Sequence, residues 1–266
     1  MAVPADDLVL ALELADAADA ITMARFRAED LVVETKPDLT PVSEADREVE
    51  QAMRSRLSEA RPADAVIGEE YGGDGSALAA SGRRWIVDPI DGTKSYVRGV
   101  PVWATLLALE ERGELILGVV SAPALSRRWW AVRGSGAFVA DGFNGAQPRR
   151  LRVSAVHELE DAQLCFGGFE EWRGAGRLEG LVELSARCWR TRGYGDFWQY
   201  MLVAEGALEI SMDPEVSLWD LAAPMVVVQE AGGRLTDLSG EATAAGGDAL
   251  ASNGLLHEAA RAYVSR

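Results

Sequence analysis

Four carboxylates in three separate segments have the types and spacing to do chemistry together: Glu69 in VIGEEYGG, Asp88 and Asp91 in WIVDPIDGTKSY, and Asp220 in SLWDLAAP. Each stands where an apolar run ends, at a turn or helix start, so each can project from the edge of a rigid core into one shared cleft. Oxygen donors without nitrogen or sulfur suit a hard cation. Magnesium retains several waters, so a few carboxylates and a substrate phosphate complete its shell. The chain has only two histidines, His157 and His257, and neither has a partner motif. Cys165 and Cys188 form no C-x-x-C pair and have no nearby histidine, so both read as small core hydrophobes, with no zinc site or disulfide framework.

In DPIDGT, Pro89 ends a strand's hydrogen-bond ladder, Asp91-Gly92 makes a tight turn, and Thr93 suits a helix N-cap. Asp88 and Asp91 are thereby held at the strand end with the Ile90 carbonyl between them. Backbone N–H groups at Gly92 and Thr93 would face a phosphate at a helix N-terminus. An Asp-Gly turn with an N-cap and no chemistry accounts for this segment taken alone. Glu69 and Glu70 read equally as solvated loop charges, Asp220 as the N-cap of its helix, and Asp46 as part of a weak capping box with Ser43.

The elements that must position these residues follow from apolar spacing. Leu10, Leu14, Ala17, Ala18 and Ile21 predict a helix from Asp6 to about Phe26, and Ala45, Val49, Ala52 and Met53 predict a second from Ser43 to about Ala60. The runs RWIVD, WATLLALEE, ELILGVVSAP, RRWWAVRG and GAFVADG, separated by short turns, predict an antiparallel sheet. The polar stretch from Asp141 to Arg150 is the expected seam of a single domain with two lobes, about 1–145 and about 146–266. Beyond it, strands around Leu151, Leu164 and Leu208 alternate with helices. One helix, Asp196 to Ala204, carries Phe197, Tyr200, Met201 and Ala204 on one face. The segment Asp220 to Ala231 is apolar nearly all round, so its helix is expected to be buried on both sides, with Pro224 tolerable only in the first turn.

A chain of 266 residues can bury a substantial core. Its net charge of −16, with no basic block, argues against nucleic acid, whose binding depends on neutralised phosphates. No apolar stretch reaches the roughly 20 residues that span a bilayer, and Met1 to Asp7 lacks the features of a signal peptide, so a cytoplasmic protein without membrane partners is expected. Solubility alone explains the acidity. A phosphate ligand would nevertheless be repelled unless bound cations inverted the local field.

Taken in order, KPDLTPVSEAD, VIGEE, WIVDPIDGT and WDLAAPMVVVQEAGG resemble the inositol monophosphatase-like superfamily of magnesium-dependent, lithium-sensitive phosphatases, over nearly the whole chain. The resemblance implies an α+β fold, a layered αβαβα sandwich, and a homodimer. It also implies two or three magnesium ions: one on Glu69, Asp88 and the Ile90 carbonyl, a second on Asp88, Asp91 and Asp220, and a more labile third placed with help from Glu69. Thr93, hydrogen-bonded to Asp46, would orient the attacking water. Ser95-Tyr96 departs from the Asn-Phe often found there.

Within the superfamily, DGTKSYVRGVPVWATLLAL, VVSAPALSRRWW, TRGYGDFWQYMLVAEGALEI and DPEVSLWD are most similar to the histidinol-phosphatase branch of histidine biosynthesis. A small phosphomonoester with an amine and an imidazole would then be the substrate, and its pocket should offer acceptors. Asp196, Asp213 and Glu215 are placed to supply them, and Arg192 would contact phosphate or pair with one of these acids. Asp196 reads equally as a helix N-cap. The alternatives are an inositol-phosphate or broad sugar-phosphate phosphatase and, from another class, a non-catalytic metal-binding regulator with the same fold.

Overall fold

The computed structural model describes residues 5–36, 41–73, 82–142 and 147–265. Residues 37–40 of the KPDLTPVSEAD motif and 143–146 of the expected seam lie outside it.

Two helices form the first layer, α1 (Ala5–Arg25) and α2 (Glu44–Ala60), entered through a short antiparallel ribbon of β1 (Val33–Thr35) and β2 (Pro41–Ser43). Leu10, Leu14 and Ala18 of α1 and Val49, Met53 and Leu57 of α2 recur at helical spacing and bury together. They pack on Trp85, Val87, Leu107, Leu109, Leu117 and Val119, alternate positions of a seven-stranded sheet. That sheet runs in sequence order through β3 (Ala65–Gly68), β4 (Arg83–Asp91), β5 (Ala104–Glu111), β6 (Glu114–Ala122), β7 (Arg127–Val132), β8 (Gly136–Asp141) and β9 (Arg149–Arg150). The predicted antiparallel strands are β4 to β8. The parallel strand β3 joins them at one edge and β9 at the other.

The opposite face of this sheet, including Ile86, Leu106, Ala108 and Val120, packs against the central layer, which contains α6 (Asp196–Ala204) and α7 (Leu218–Glu230). A second sheet lies beyond, in the order β11 (Arg190–Arg192), β10 (Gln163–Phe166), β12 (Ile210–Asp213), β14 (Ala249–Ser252) and β13 (Arg234–Thr236). Its outer face is covered by α4 (Phe169–Gly174), α5 (Leu178–Arg187) and α8 (His257–Val264), through Trp172, Leu181, Leu184, Ala260 and Val264. The short α3 (Thr93–Val97) follows β4. The result is the αβαβα sandwich. No helix among the described residues is long and apolar enough to cross a membrane.

Several boundaries differ from the sequence reading. The strand expected around Leu151 is β9, which ends at Arg150 and belongs to the first sheet, so the expected seam contains a strand of that sheet. The strand expected around Leu208 begins at Ile210. Helix α7 begins at Leu218, capped by Ser217, which puts Pro224 in the second turn. Its missing N–H deprives the Asp220 carbonyl of its helical donor, a cost tolerated because α7 is packed on both sides. Periodicity locates apolar faces but does not say which turn a proline occupies.

Candidate metal centre and cleft

Asp88 and Asp91 would point to opposite faces of a regular strand, being three residues apart. The β4–β5 register shifts between them, and Pro89, which has no N–H, sits in the irregular segment with its carbonyl held by Thr105 Oγ1 at 2.8 Å. This irregularity turns both carboxylates to one side. Asp220 arrives from the first turn of α7, where its Oδ2 accepts the Ser217 N–H at 2.7 Å in a capping box. It is therefore the third helical residue and not the N-cap. One oxygen from each of Asp88, Asp91 and Asp220 lies within 4.8 Å of the others.

Burial and mutual repulsion dominate the electrostatics. Asp88 is held well above the usual carboxylate range by desolvation and then by Glu69, Asp91, Asp220 and Asp46. Asp91 is raised in the same direction by burial and by Asp196 and Asp220, against the N–H that Phe197 donates to its Oδ2 at 2.5 Å. Burial pushes Asp220 up to about 6, with Glu69 adding to the rise. Asp88 Oδ1 is buried without a hydrogen-bond partner among the described residues. A close carboxylate trio with an orphaned oxygen fits a divalent cation, whose charge would relieve this repulsion.

Glu69 lines the same cleft, as does Ile90. The Glu69 carboxylate accepts Lys36 Nζ at 2.7 Å, and the same ammonium reaches Glu70 at 2.6 Å. Burial works against the charge on Lys36, but these two bonds hold it above the ordinary lysine value. Glu70 is pushed up to about 7, chiefly by burial.

Thr93 is the first residue of α3, and Gly92, at φ 83°, is its N-cap, because the sharp exit from β4 needs a left-handed residue. This corrects the expectation of Thr93 as cap. The Thr93 hydroxyl lies 2.9 Å from the Ile90 carbonyl and 3.3 Å from Asp46 Oδ1. Asp46 is fully buried, and its other oxygen accepts Ser43 N–H at 2.8 Å and Ser43 Oγ–H at 2.5 Å. Desolvation raises its carboxyl despite those bonds. The capping box and the Thr93 contact coexist. Tyr96, in the departing Ser95-Tyr96 pair, is buried and donates to the Thr22 carbonyl at 2.8 Å, bracing the turn against α1.

The cleft has a volume of about 570 Å³. Besides the trio its wall carries Asp196, Glu171 and Glu215, with Asp196 so near the Asp91–Gly92 turn that a Cβ on Gly92 would stand 3.1 Å from its Oδ2, and Lys94 is the one cation among the described lining residues. Asp196 opens α6 with a positive φ of 49°, after Gly195, which is the N-cap. Although its side chain opens to the cleft, the surrounding protein desolvates it and pushes it up to about 6; Lys94 opposes the shift and Glu171 adds to it. Asp213 sits behind this wall. It is buried, and its Oδ2 accepts Tyr200 Oη–H at 2.5 Å and the Gln199 side-chain amide. Arg192 is outside the cleft lining, exposed at the end of edge strand β11, with its guanidinium on the Thr191 carbonyl. Sequence reasoning missed Glu171, Lys94 and Lys36. Lys36 opens a motif already singled out, whereas the local pattern of Glu171 in GGFEEW is only that of the third helical residue capping α4, its Oε2 accepting the Gly168 N–H at 3.0 Å.

A layered αβαβα sandwich in which β4 and α7 bring three carboxylates within 4.8 Å of one another has the donor set of a hard-metal phosphatase. The chain belongs to the inositol monophosphatase family, whose model matches residues 5–266. It is 57% identical over 253 residues to a histidinol-phosphatase of Mycobacterium tuberculosis, covering 95% of each chain. A histidinol-phosphatase of Streptomyces coelicolor is 54% identical over 266 residues, covering 98% of this chain and 97% of that one. Among solved structures, the Thermotoga maritima IMPase superposes with a TM-score of 0.84 at 33% identity, covering 97% of this chain and 96% of that one.

Proposed function

We propose that this protein is a magnesium-dependent phosphomonoesterase that hydrolyses L-histidinol phosphate to L-histidinol and phosphate in histidine biosynthesis. The observation that carries the substrate reading is that three further acids, Asp196, Glu171 and Glu215, line the same cleft as the carboxylate trio. Polyol hydroxyls also donate to carboxylates, but a cationic amine or imidazole adds charge to each such bond and makes it the stronger one, which favours that substrate at a site with three further acids. The similarity to two histidinol-phosphatases supports the same reading.

In this reading Asp88, Asp91, Asp220, Glu69 and the Ile90 carbonyl hold two or three magnesium ions. When bound, these would neutralise phosphoryl charge, supply a nucleophile at neutral pH and stabilise the leaving alkoxide. Asp46 and Thr93 orient the attacking water, and the Gly92–Thr93 turn receives phosphate oxygens. Asp196, Glu215 and Glu171 bind the cationic end of the substrate. Asp213, committed to Tyr200 and Gln199, supports the wall from behind, and Arg192 takes no direct part. The two lobes form one domain, the protein is cytoplasmic, and it works as a homodimer.

Initial rates on L-histidinol phosphate, inositol 1-phosphate and fructose 1,6-bisphosphate, with and without chelator, test this. Histidinol phosphate is expected to give the highest kcat/KM, and chelation to abolish turnover. Equal or better hydrolysis of inositol 1-phosphate would overturn the substrate assignment, and full activity after exhaustive chelation would overturn the metal assignment.

A further inference from the structure

Glu50 lies one helical turn beyond Asp46 on α2, fully buried, and its carboxylate is spent on the turn that carries Glu69. Glu50 Oε2 accepts the Glu70 N–H at 2.7 Å and Oε1 accepts the Tyr71 N–H at 3.2 Å. Arg54, the next turn along, donates Nε to Glu50 Oε1 at 2.8 Å, and its Nη groups reach the Gly72 and Val66 carbonyls. The turn also closes on itself, Gly68 N–H to the Gly72 carbonyl at 3.0 Å, and is tied to β4 by Glu69 N–H to the Val87 carbonyl at 3.3 Å. The carboxylate fills the space beside Gly68 so fully that a Cβ there would stand 2.2 Å from Glu50 Oε1.

We infer that Glu50, held by Arg54, is a positioning residue that fixes the backbone of Glu69 for metal binding. The inference rests on the reading of Glu69 as a metal ligand. A ligand carried on a loop is free to swing, and metal affinity is lost when it does; a buried anion bonded to the two amides that follow Glu69 removes that freedom. Because Asp46 and Glu50 share α2, the same helix indexes the water-orienting carboxylate and the ligand turn to each other. A neutral side chain of the same shape cannot accept both N–H groups and the guanidinium. The simpler alternative is a buried ion pair that only stabilises the fold.

The test is calorimetric titration of the whole protein with Mn2+, free of substrate. Glu50→Gln is nearly isosteric, and Gly68→Ala drives the carboxylate from its seat without altering it. Asp7→Asn is the control, because Asp7 is a buried carboxylate whose two oxygens are taken by Arg61 and Arg83 and not by the backbone of the Glu69 turn among the described residues. Glu50→Gln and Gly68→Ala are expected to weaken Mn2+ binding roughly 10- to 100-fold, the scale of losing an outer partner of a metal ligand. Asp7→Asn should lower stability and leave binding unchanged. Hydrogen exchange at the Glu70 and Tyr71 amides should quicken in Glu50→Gln, and kcat at saturating metal should recover towards wild type. Wild-type Mn2+ affinity in either folded variant, or an equal loss in Asp7→Asn, would overturn the inference. If the wild-type protein itself fails to bind Mn2+, the metal reading falls instead.

Discussion

Asp220→Asn should stabilise the metal-free protein while destroying its capacity to be stabilised by metal. Burial and the neighbouring carboxylates raise the Asp220 carboxyl from 3.8 to about 6. A folded value above the unfolded one means that the native state holds a proton the unfolded chain releases. The resulting penalty is absent below pH 3.8, grows as pH rises through about 6, and is full at neutral pH. The rise sets a ceiling of about 3 kcal/mol. Sharing of the charge among Asp88, Asp91 and Asp220, together with partial solvent screening, brings the expected gain to about 1–2 kcal/mol. Asparagine keeps an oxygen for the Ser217 N–H, so the α7 cap survives and its own contribution, typically about 1 kcal/mol, drops out of the comparison.

The assay is thermal and urea unfolding of both proteins at pH 4.5 and 7.5, with chelator and then with magnesium. With chelator at pH 7.5, the variant should melt several degrees higher, at roughly 2–4 °C per kcal/mol for a chain near this size. At pH 4.5 the difference should shrink. Magnesium should reverse the order, since a ligand at about 100 times its Kd adds about 2.7 kcal/mol only to a protein that binds it. A variant less stable than wild type in chelator at pH 7.5, or a gain that persists unchanged to pH 4.5, would refute the electrostatic argument.

Thr93→Ala should lower kcat by about 10²–10⁴-fold while leaving Mn2+ affinity near wild type, as expected for a group that orients water; a loss under threefold would leave its hydroxyl as a brace for the Ile90 carbonyl. Glu171→Gln should reduce kcat/KM for histidinol phosphate by about tenfold or more and barely change inositol 1-phosphate, one charge-assisted hydrogen bond being lost. Asp213→Asn should depress both substrates alike, because its carboxylate serves Tyr200 and Gln199; a selective effect would return it to direct substrate contact. His257 is buried between Thr236 Oγ1 and Ser252 Oγ, and burial followed by the Arg234 charge lowers it from 6.5 to about 4. Its contribution to stability is therefore present above pH 6.5 and lost as pH falls towards 4, and NMR titration should find the ring neutral at pH 6.

The helices α1 and α2, the strands β4 to β8 and the four carboxylates were all legible in the chain, because apolar spacing, glycine, proline and capping residues act over a few neighbours. So was the family, because its motifs are short, ordered and local. The tertiary structure decided what each acid faces. Asp213 and Glu215 are two residues apart in one segment, yet Asp213 turns inward to Tyr200 while Glu215 lines the cleft. Glu171 reaches the same wall from a segment with no motif of its own, and Arg192, which read as a phosphate contact or a partner of one of the acids, stays outside on an edge strand. Asp88 and Asp91 meet only because the β4–β5 register shifts between them. The reason is common to all of these: a local pattern sets which side of an element is apolar, but the partner of a buried charge is chosen by packing between segments far apart in sequence, where desolvation makes an unpaired choice costly.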